Sequence, residues 1–382
     1  MGERRSPLQI MSDSKPDIIV GGGIMGLAIG WRLLREGAER VQIFEAGEAA
    51  RSGACWAAAG MLSPRAEVGF EDVDLYEDHL RSLDLYPQFL DELEEDAGVL
   101  VPKIDRCGTL MLSTNADEAR ELTRQFNFRR QFGMSVERLT GDEAREREPL
   151  LSGKVTGALS FPKDGQINNR KFCIALKEAF LHRGGKLREH SPISDIVIRN
   201  NRAVAVRCNG EEIPAETITI AAGAWSSQIG GIEPSLPVRP VKGQFIGLRM
   251  TQDMRLRQPV RTPRVYIVPK DDGRLLVGAT AEEVGFDKRV TAGPIMELLH
   301  FAWEIVPAIY ELEIEELLAS FRPATRDHRP IVGESGTKNL YYATGHWRHG
   351  ILMAPLTANI ISKIILEGSK PSMISMRKEL VA

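Results

Sequence analysis

The sequence predicts an α/β protein of two domains, and three observations carry that prediction. A short apolar strand, Asp17-Ile18-Ile19-Val20, runs into three spaced glycines and an amphipathic helix. The stretch from Val238 to Ala279 alternates in polarity as antiparallel strands do. The length, 382 residues, exceeds the size at which one hydrophobic core stops growing.

Taken in order, the elements support this reading. The helix after the glycines sets Leu27, Trp31 and Leu34 on one face, and Val41-Gln42-Ile43-Phe44 forms the next strand, ending at Glu45. Helical patterns cover Asp72 to Glu95 and Ala116 to Phe132 and read as a helical insertion. Strand-like runs between Thr156 and Val206 surround a helix at Asn169 to His182, and Thr217-Ile218-Thr219-Ile220 is a buried strand leading to a glycine turn. The alternating segments Val238 to Leu248, Arg264 to Pro269 and Arg274 to Ala279 precede a helix at Pro294 to Ile305. The chain closes with a strand at Leu340 to Ala343, a turn at Gly345 and a helix from near Gly350. The second domain is thus α+β, built on an antiparallel sheet.

Composition narrows the function. Forty-nine basic and fifty-two acidic residues leave a net charge of -3, which provides no general attraction for nucleic acid or anionic membrane. Cys55, Cys107, Cys173 and Cys208 contain no CxxC pair, so neither a disulfide framework nor a metal site is predicted, and a cytoplasmic location fits. The polar first fifteen residues lack a signal-peptide core, and no run of about eighteen apolar residues stands out elsewhere. Residues 1–12 are expected to be disordered, and Gly2 with Ser6 matches a myristoylation pattern too short to carry weight.

Gly21-x-Gly23-x-x-Gly26 lies between strand and helix, as a Rossmann-like dinucleotide fingerprint requires. The first glycine permits the turn, the second lets the backbone approach a pyrophosphate, and the third allows close helix packing. The helix N-terminus, with Ile24 and Met25 in its first turn, offers N–H groups and a positive dipole end to the phosphates. Glu45, nineteen positions beyond Gly26, is placed to accept from ribose hydroxyls and disfavours a 2′-phosphate. The loop alone leaves FAD and NAD both open.

Three further segments carry a resemblance. They are Arg51-Ser52-Gly53-Ala54-Cys55-Trp56-Ala57-Ala58-Ala59-Gly60-Met61-Leu62, the run Phe321-Arg322-Pro323-Ala324-Thr325-Arg326-Asp327 with Pro330-Ile331-Val332-Gly333, and Thr344-Gly345-His346-Trp347-Arg348-His349-Gly350-Ile351-Leu352. With Tyr266-Ile267-Val268-Pro269 and Gly278-Ala279-Thr280, they resemble the D-amino-acid oxidase superfamily, especially its glycine oxidase branch. The similarity runs from Asp17 to about Leu366.

The resemblance implies a glutathione-reductase-type, non-covalent FAD domain at 13–80, 155–235 and 320–382, with substrate-binding segments at 81–154 and 236–319. It implies FAD contacts from Ala46, Ala54, Cys55, Ala59, Gly60 and Met61, from Ile193, and from Ala222, Gly223 and Trp225. His346, Arg348, His349, Gly350, Ile351 and Leu352 would complete the flavin site. Arg322 would grip a substrate carboxylate with its guanidinium fork, Tyr266 would add a hydroxyl, and Arg348 would assist. The activity implied is oxidation of the α-carbon of glycine or a small N-substituted glycine, giving glyoxylate, an amine and hydrogen peroxide. By the same resemblance the partners are a small amino acid and O2, and the chain assembles as a tetramer. Transfer of electrons to a quinone or carrier is the alternative, and a thiamine-thiazole pathway role stays open.

The chain departs from the family pattern in places. Arg264 replaces a histidine two residues before Tyr266, and positions two apart in a strand share a face, so Arg264 is expected to look into the pocket. Arg348-His349 replaces Arg-Asn, Asp327-His328-Arg329 adds positive charge, and Ala281 stands where a bulkier residue occurs. A roomier, more cationic site suits a substrate with a second carboxylate such as iminodiacetate.

Overall fold

The computed structural model describes residues 15–70 and 73–368. The expectations for residues 1–12 and Gly2, and the helix start at Asp72, lie outside the described residues.

The first layer is a six-stranded sheet in the order Ile331–Glu334, Leu340–Thr344, Ile218–Ile220, Asp17–Val20, Val41–Phe44, Lys186–Arg188. All neighbours are parallel except Ile331–Glu334, which runs antiparallel at one edge. Both faces of its centre are covered, which is why the strands Asp17–Val20, Ile218–Ile220 and Leu340–Thr344 are buried almost throughout. Ile19, Val41 and Ile43 pack under the helices Ile24–Arg35, Tyr76–Ala97, Asn169–His182 and Gly350–Glu367. Ile18, Val20, Phe44, Ile218 and Ile220 point the other way, against the three-stranded sheet formed by Ile193–Arg199, Arg202–Cys208 and Glu211–Pro214.

The second layer system is an eight-stranded sheet in the order Glu313–Ala324, Arg239–Arg249, Arg274–Gly278, Tyr266–Pro269, Val260–Arg261, Leu110–Ser113, Gly157–Ser160, Glu137–Thr140. It is antiparallel but for the pairing of Val260–Arg261 with Leu110–Ser113. The helix Ala292–Ile305 closes its core through Leu298, Ala302 and Ile305.

Three expected boundaries move. Residues 81–97, expected on the substrate side, belong to the helix Tyr76–Ala97, whose Tyr86, Phe89 and Leu93 fill the nucleotide-side core. Tyr86 donates to the Ile351 carbonyl at 2.5 Å, and Arg32 meets Glu92 at 2.5 Å. An amphipathic stripe states that a helix is half-buried, not which core it covers. Gly157–Ser160 joins the eight-stranded sheet rather than the nucleotide domain, and the strand Glu313–Ala324 runs straight through the boundary expected at residue 320. That strand escaped prediction because its first third, Glu313 to Glu316, is mostly charged and lacks a buried face.

The helix Gly350–Glu367 is long and apolar enough to cross a membrane by length and composition, contrary to the reading that no such stretch stands out. It is packed against the Ile24–Arg35 and Tyr76–Ala97 helices and two-thirds buried, which accounts for its apolarity as that of a core helix.

Candidate functional site

The end of the Asp17–Val20 strand shows why three glycines stand there. Gly21 has φ of 112°, a left-handed conformation, and donates to the Phe44 carbonyl at 2.8 Å. A side chain on Gly26 would collide with the Gly21 carbonyl, so this glycine seats the helix on the turn. Gly23 differs: a Cβ there would meet nothing within 4 Å. Gly23 is also the N-cap of the helix Ile24–Arg35, with no side-chain cap and no acidic residue in the first turn. The open N-terminal N–H groups of that helix therefore face free volume, the arrangement that binds a pyrophosphate.

Glu45 stands beside this terminus. Its Oε2 accepts from the Gly22 N–H at 2.7 Å, while Oε1 accepts from Gly47 N–H at 2.9 Å and Ser52 Oγ at 3.1 Å. These bonds fix the carboxylate at the wall of a cavity of about 660 Å³. The same cavity is lined by Ile24, Met25, Ala46, Ala54, Cys55, Ala59, Gly60, Met61, Ile193, Ala222, Gly223 and Trp225. An uncapped helix end, an oriented carboxylate and a wall of small residues fit FAD, with phosphates at Gly23 and ribose at Glu45.

The cavity continues to the antiparallel sheet, where two glycines make room for two functional side chains. Tyr266 pairs across the sheet with Gly278, and a Cβ on Gly278 would press into the Tyr266 ring. Arg322 pairs with Val241, and a Cβ on Gly243 would overlap the Arg322 guanidinium. Each side chain thus lies over a bare backbone position. Arg322 Nη1 donates to the Thr280 carbonyl at 2.8 Å. Burial pulls the Arg322 guanidinium below its usual range and pushes the Tyr266 hydroxyl above its own, and each of the two groups counters the other's shift. Arg348 lines the same cavity from the Gly345 to Gly350 loop, its guanidinium 5.2 Å from the Trp347 ring centre. Arg322 lies 5.9 Å from the same ring, and His328 stacks on Trp347 at 4.5 Å.

His346 lines the cavity, buried, with Nε2 3.0 Å from Thr357 Oγ1. Burial lowers its pKa to about 3, so it is neutral at physiological pH. Gly350 and Ile351 also line the cavity.

Three expected contacts are corrected, and Gly26 keeps the helix-packing role expected of it. Gly26 and Leu352 do not line the cavity; Gly26 packs the helix, and Leu352 is core, its carbonyl accepting from Ser82 at 2.7 Å. His349 also lies off the cavity wall, its ring 4.2 Å from that of His79. Its pKa is lowered to about 3, chiefly by burial and then by Arg348. Arg264 sits at the cavity rim but turns its guanidinium away, to Glu118 at 3.3 Å, Glu304 at 3.7 Å and the Phe301 ring at 4.3 Å. The strand begins only at Tyr266, so the period-two rule that placed Arg264 beside Tyr266 does not reach it.

No role was expected of Glu67, Arg261, Thr280 or Trp347, all on the cavity wall, although Thr280 ended the quoted Gly278-Ala279-Thr280 run. Trp347 lay inside the quoted His346 to Gly350 run. Glu67 and Arg261 meet at 3.2 Å across 194 residues, a separation no local pattern reports.

A family model described as FAD dependent oxidoreductase matches residues 18–364. The chain is 37% identical over 350 residues to a glycine oxidase of Geobacillus kaustophilus, covering 91% of this chain and 92% of that protein. A crystal structure of glycine oxidase from Geobacillus kaustophilus superposes with a TM-score of 0.87 at 36% identity, covering 94% of this chain and 97% of that one. An iminodiacetate oxidase from a Chelativorans species gives a TM-score of 0.81 at 28% identity, covering 93% and 96%.

Proposed function

Because the chain belongs to the FAD-dependent oxidoreductase family that its residues 18–364 match, we propose that it oxidises the α-carbon of glycine or a small N-substituted glycine, using O2. The observation that carries this reading is one cavity that joins the open helix terminus at Gly23 to the Tyr266, Arg322 and Arg348 cluster. FAD, which Gly23, Glu45, Ala59 and Met61 would hold in this cavity, would supply the two-electron acceptor, with O2 as the final oxidant.

The residues of the chain perform positioning. Arg322 and Tyr266 hold the substrate carboxylate through charge-assisted and hydroxyl hydrogen bonds, and Arg348 adds a second cation at that end. Fixing the carboxylate leaves the α C–H free to face the cofactor, which converts binding energy into orientation. His346, held neutral and bonded to Thr357, is suited to packing and not to proton transfer near neutral pH.

The balanced reaction consumes a glycine-type amine, O2 and water and yields glyoxylate, the freed amine and H2O2. Relatives named glycine oxidase and iminodiacetate oxidase support this class of substrate. The arginine first expected to take a second carboxylate, Arg264, is engaged by Glu118 and Glu304. In the same reading the chain is cytoplasmic and homo-oligomeric, and its FAD is non-covalent.

The test is a peroxide assay on the yellow protein with glycine, sarcosine, D-alanine and iminodiacetate in air. Glycine and sarcosine are expected to give H2O2 and glyoxylate in equal amounts. Bleaching of the flavin without peroxide would assign the electrons to another acceptor; no bleaching with any of the four would end the reading.

A further inference from the structure

Glu67 is held in place by its backbone with unusual care. It ends the short turn Pro64–Glu67, whose two sides are gripped by two buried side chains, Asp164 and Arg129. Asp164 accepts from the Ala66 N–H at 2.8 Å and the Arg65 N–H at 3.3 Å. Arg129, 1% exposed, donates to the Arg65 carbonyl at 2.8 Å and to the Ala66 and Val68 carbonyls at 3.0 Å. Neither grip uses the Glu67 side chain. Its carboxylate reaches the cavity wall, where Oε1 meets Arg261 Nη1 at 3.2 Å.

This pair places the carboxylate of Glu67 on the same cavity wall as the cations Arg261, Arg322 and Arg348. Arg261 is a cation on the cavity wall, whereas the Arg264 guanidinium points elsewhere. Glu67 cancels Arg261, and its field extends to both Tyr266 and Arg322. His349, whose Nδ1 is 3.9 Å from Glu67, is buried and neutral and does not offset that charge. A substrate anchored by its carboxylate at Arg322 carries its nitrogen substituent only a few bonds away, within the same cavity. A second carboxylate directed to the Glu67 side of that cavity would face Glu67 and an already paired Arg261.

Resting on the substrate class proposed above, we infer that the Glu67–Arg261 pair sets which nitrogen substituent is admitted. Hydrogen and methyl pass; a carboxymethyl group is disfavoured because Glu67 repels it and withholds Arg261. Glu67 and Arg261 are specificity-determining residues, and the preference is a difference between two substrates and not a uniform change in binding.

The test compares kcat/KM for iminodiacetate with that for sarcosine. Glu67→Gln removes the charge and keeps the shape, and is expected to raise the ratio about tenfold, the effect of deleting one like charge in a partly screened site. Glu67→Asp, which keeps the charge, is expected to hold the ratio within about twofold of the parent, a change too small to count as a charge effect. Glu67→Gln with Arg261→Leu is expected to lose the gain. A ratio unmoved or lowered in Glu67→Gln, or a gain that survives loss of Arg261, overturns the inference while sarcosine turnover by the parent protein leaves the proposed function standing. If the parent protein turns over neither glycine nor sarcosine, both fall together. Should Glu67→Gln not accumulate, Arg261→Leu alone decides: it leaves Glu67 unopposed and is expected to lower the ratio, and a raised or unmoved ratio counts against the pair.

Discussion

Arg322 and Tyr266 illustrate how a single side chain depends on the backbone opposite it. Each occupies space that a Cβ on Gly243 or Gly278 would fill, so the glycines belong to the site as much as the functional residues do. Arg322→Met removes a buried fork from the substrate carboxylate and is expected to lower kcat/KM by about 100-fold, as loss of charge-assisted bonds worth ~1.5–3 kcal/mol implies. FAD content, read from flavin absorbance, should stay at the parent level. Tyr266→Phe deletes one hydroxyl and is expected to cost about tenfold, mainly in KM. The identities of these residues were readable from their motifs. The contrary fate of Arg264 was not, because its direction is set by Glu118 and Glu304 on remote helices and not by its neighbours in the chain.

At the scale of an element, the strand, glycine turn and helix at residues 17–35 separate ligand binding from folding. Gly23 opens on free volume and Gly26 on the Gly21 carbonyl. Gly23→Ala is therefore expected to leave the apoprotein folded, by circular dichroism, while weakening FAD retention about tenfold or more, since a methyl group would enter the phosphate space. Gly26→Ala is expected to destabilise the apoprotein itself by about 1–3 kcal/mol through overpacking, seen as a lower denaturant midpoint. Equal loss of FAD with no loss of stability in both variants would contradict this division. The strand–turn–helix order was legible because all its signals are local. The strand Glu313–Ala324 was hidden because its pairing with Arg239–Arg249 is made across the intervening residues 250–312, and its exposed charged start imitates a loop.

Across the whole molecule, three buried histidines are kept neutral. His79, His346 and His349 each have a pKa lowered to about 3, with burial the largest cause. In the unfolded chain they take up protons as pH falls through about 6.5, while the folded chain does not. Their contribution is complete above that value and is lost progressively as pH falls toward 3. Asp164 works the other way: burial raises it to about 7, so its contribution is present at low pH and fades as pH rises from near 4 toward 7. Glu92, Asp96, Asp271 and Glu282, lowered by their ion pairs and hydrogen bonds, add to the acid sensitivity. Between about pH 7 and about pH 5 only the three histidines and Asp164 change, and three groups outweigh one, so the melting temperature is expected to fall there; the four carboxylates add their loss below about pH 4.5. His349→Asn is expected to narrow that fall by about 2 °C in a thermal scan, and an unchanged or steeper fall would count against the assignment.

The sequence alone determined the α/β fold class and the strand, glycine turn and helix at residues 17–35, because each is written in short-range periodicity, and it named the segments whose Tyr266, Arg322 and Arg348 share one cavity wall. Tertiary structure decided which charges face the cavity. It turned Arg264 outward, brought Glu67 and Arg261 together, withdrew His349 behind the wall and carried Gly157–Ser160 into the other sheet. The physical reason is common to all four: the direction of a side chain and the partner of a strand depend on contacts between segments far apart in the chain, whereas local pattern reports only the type of an element and which of its faces is apolar.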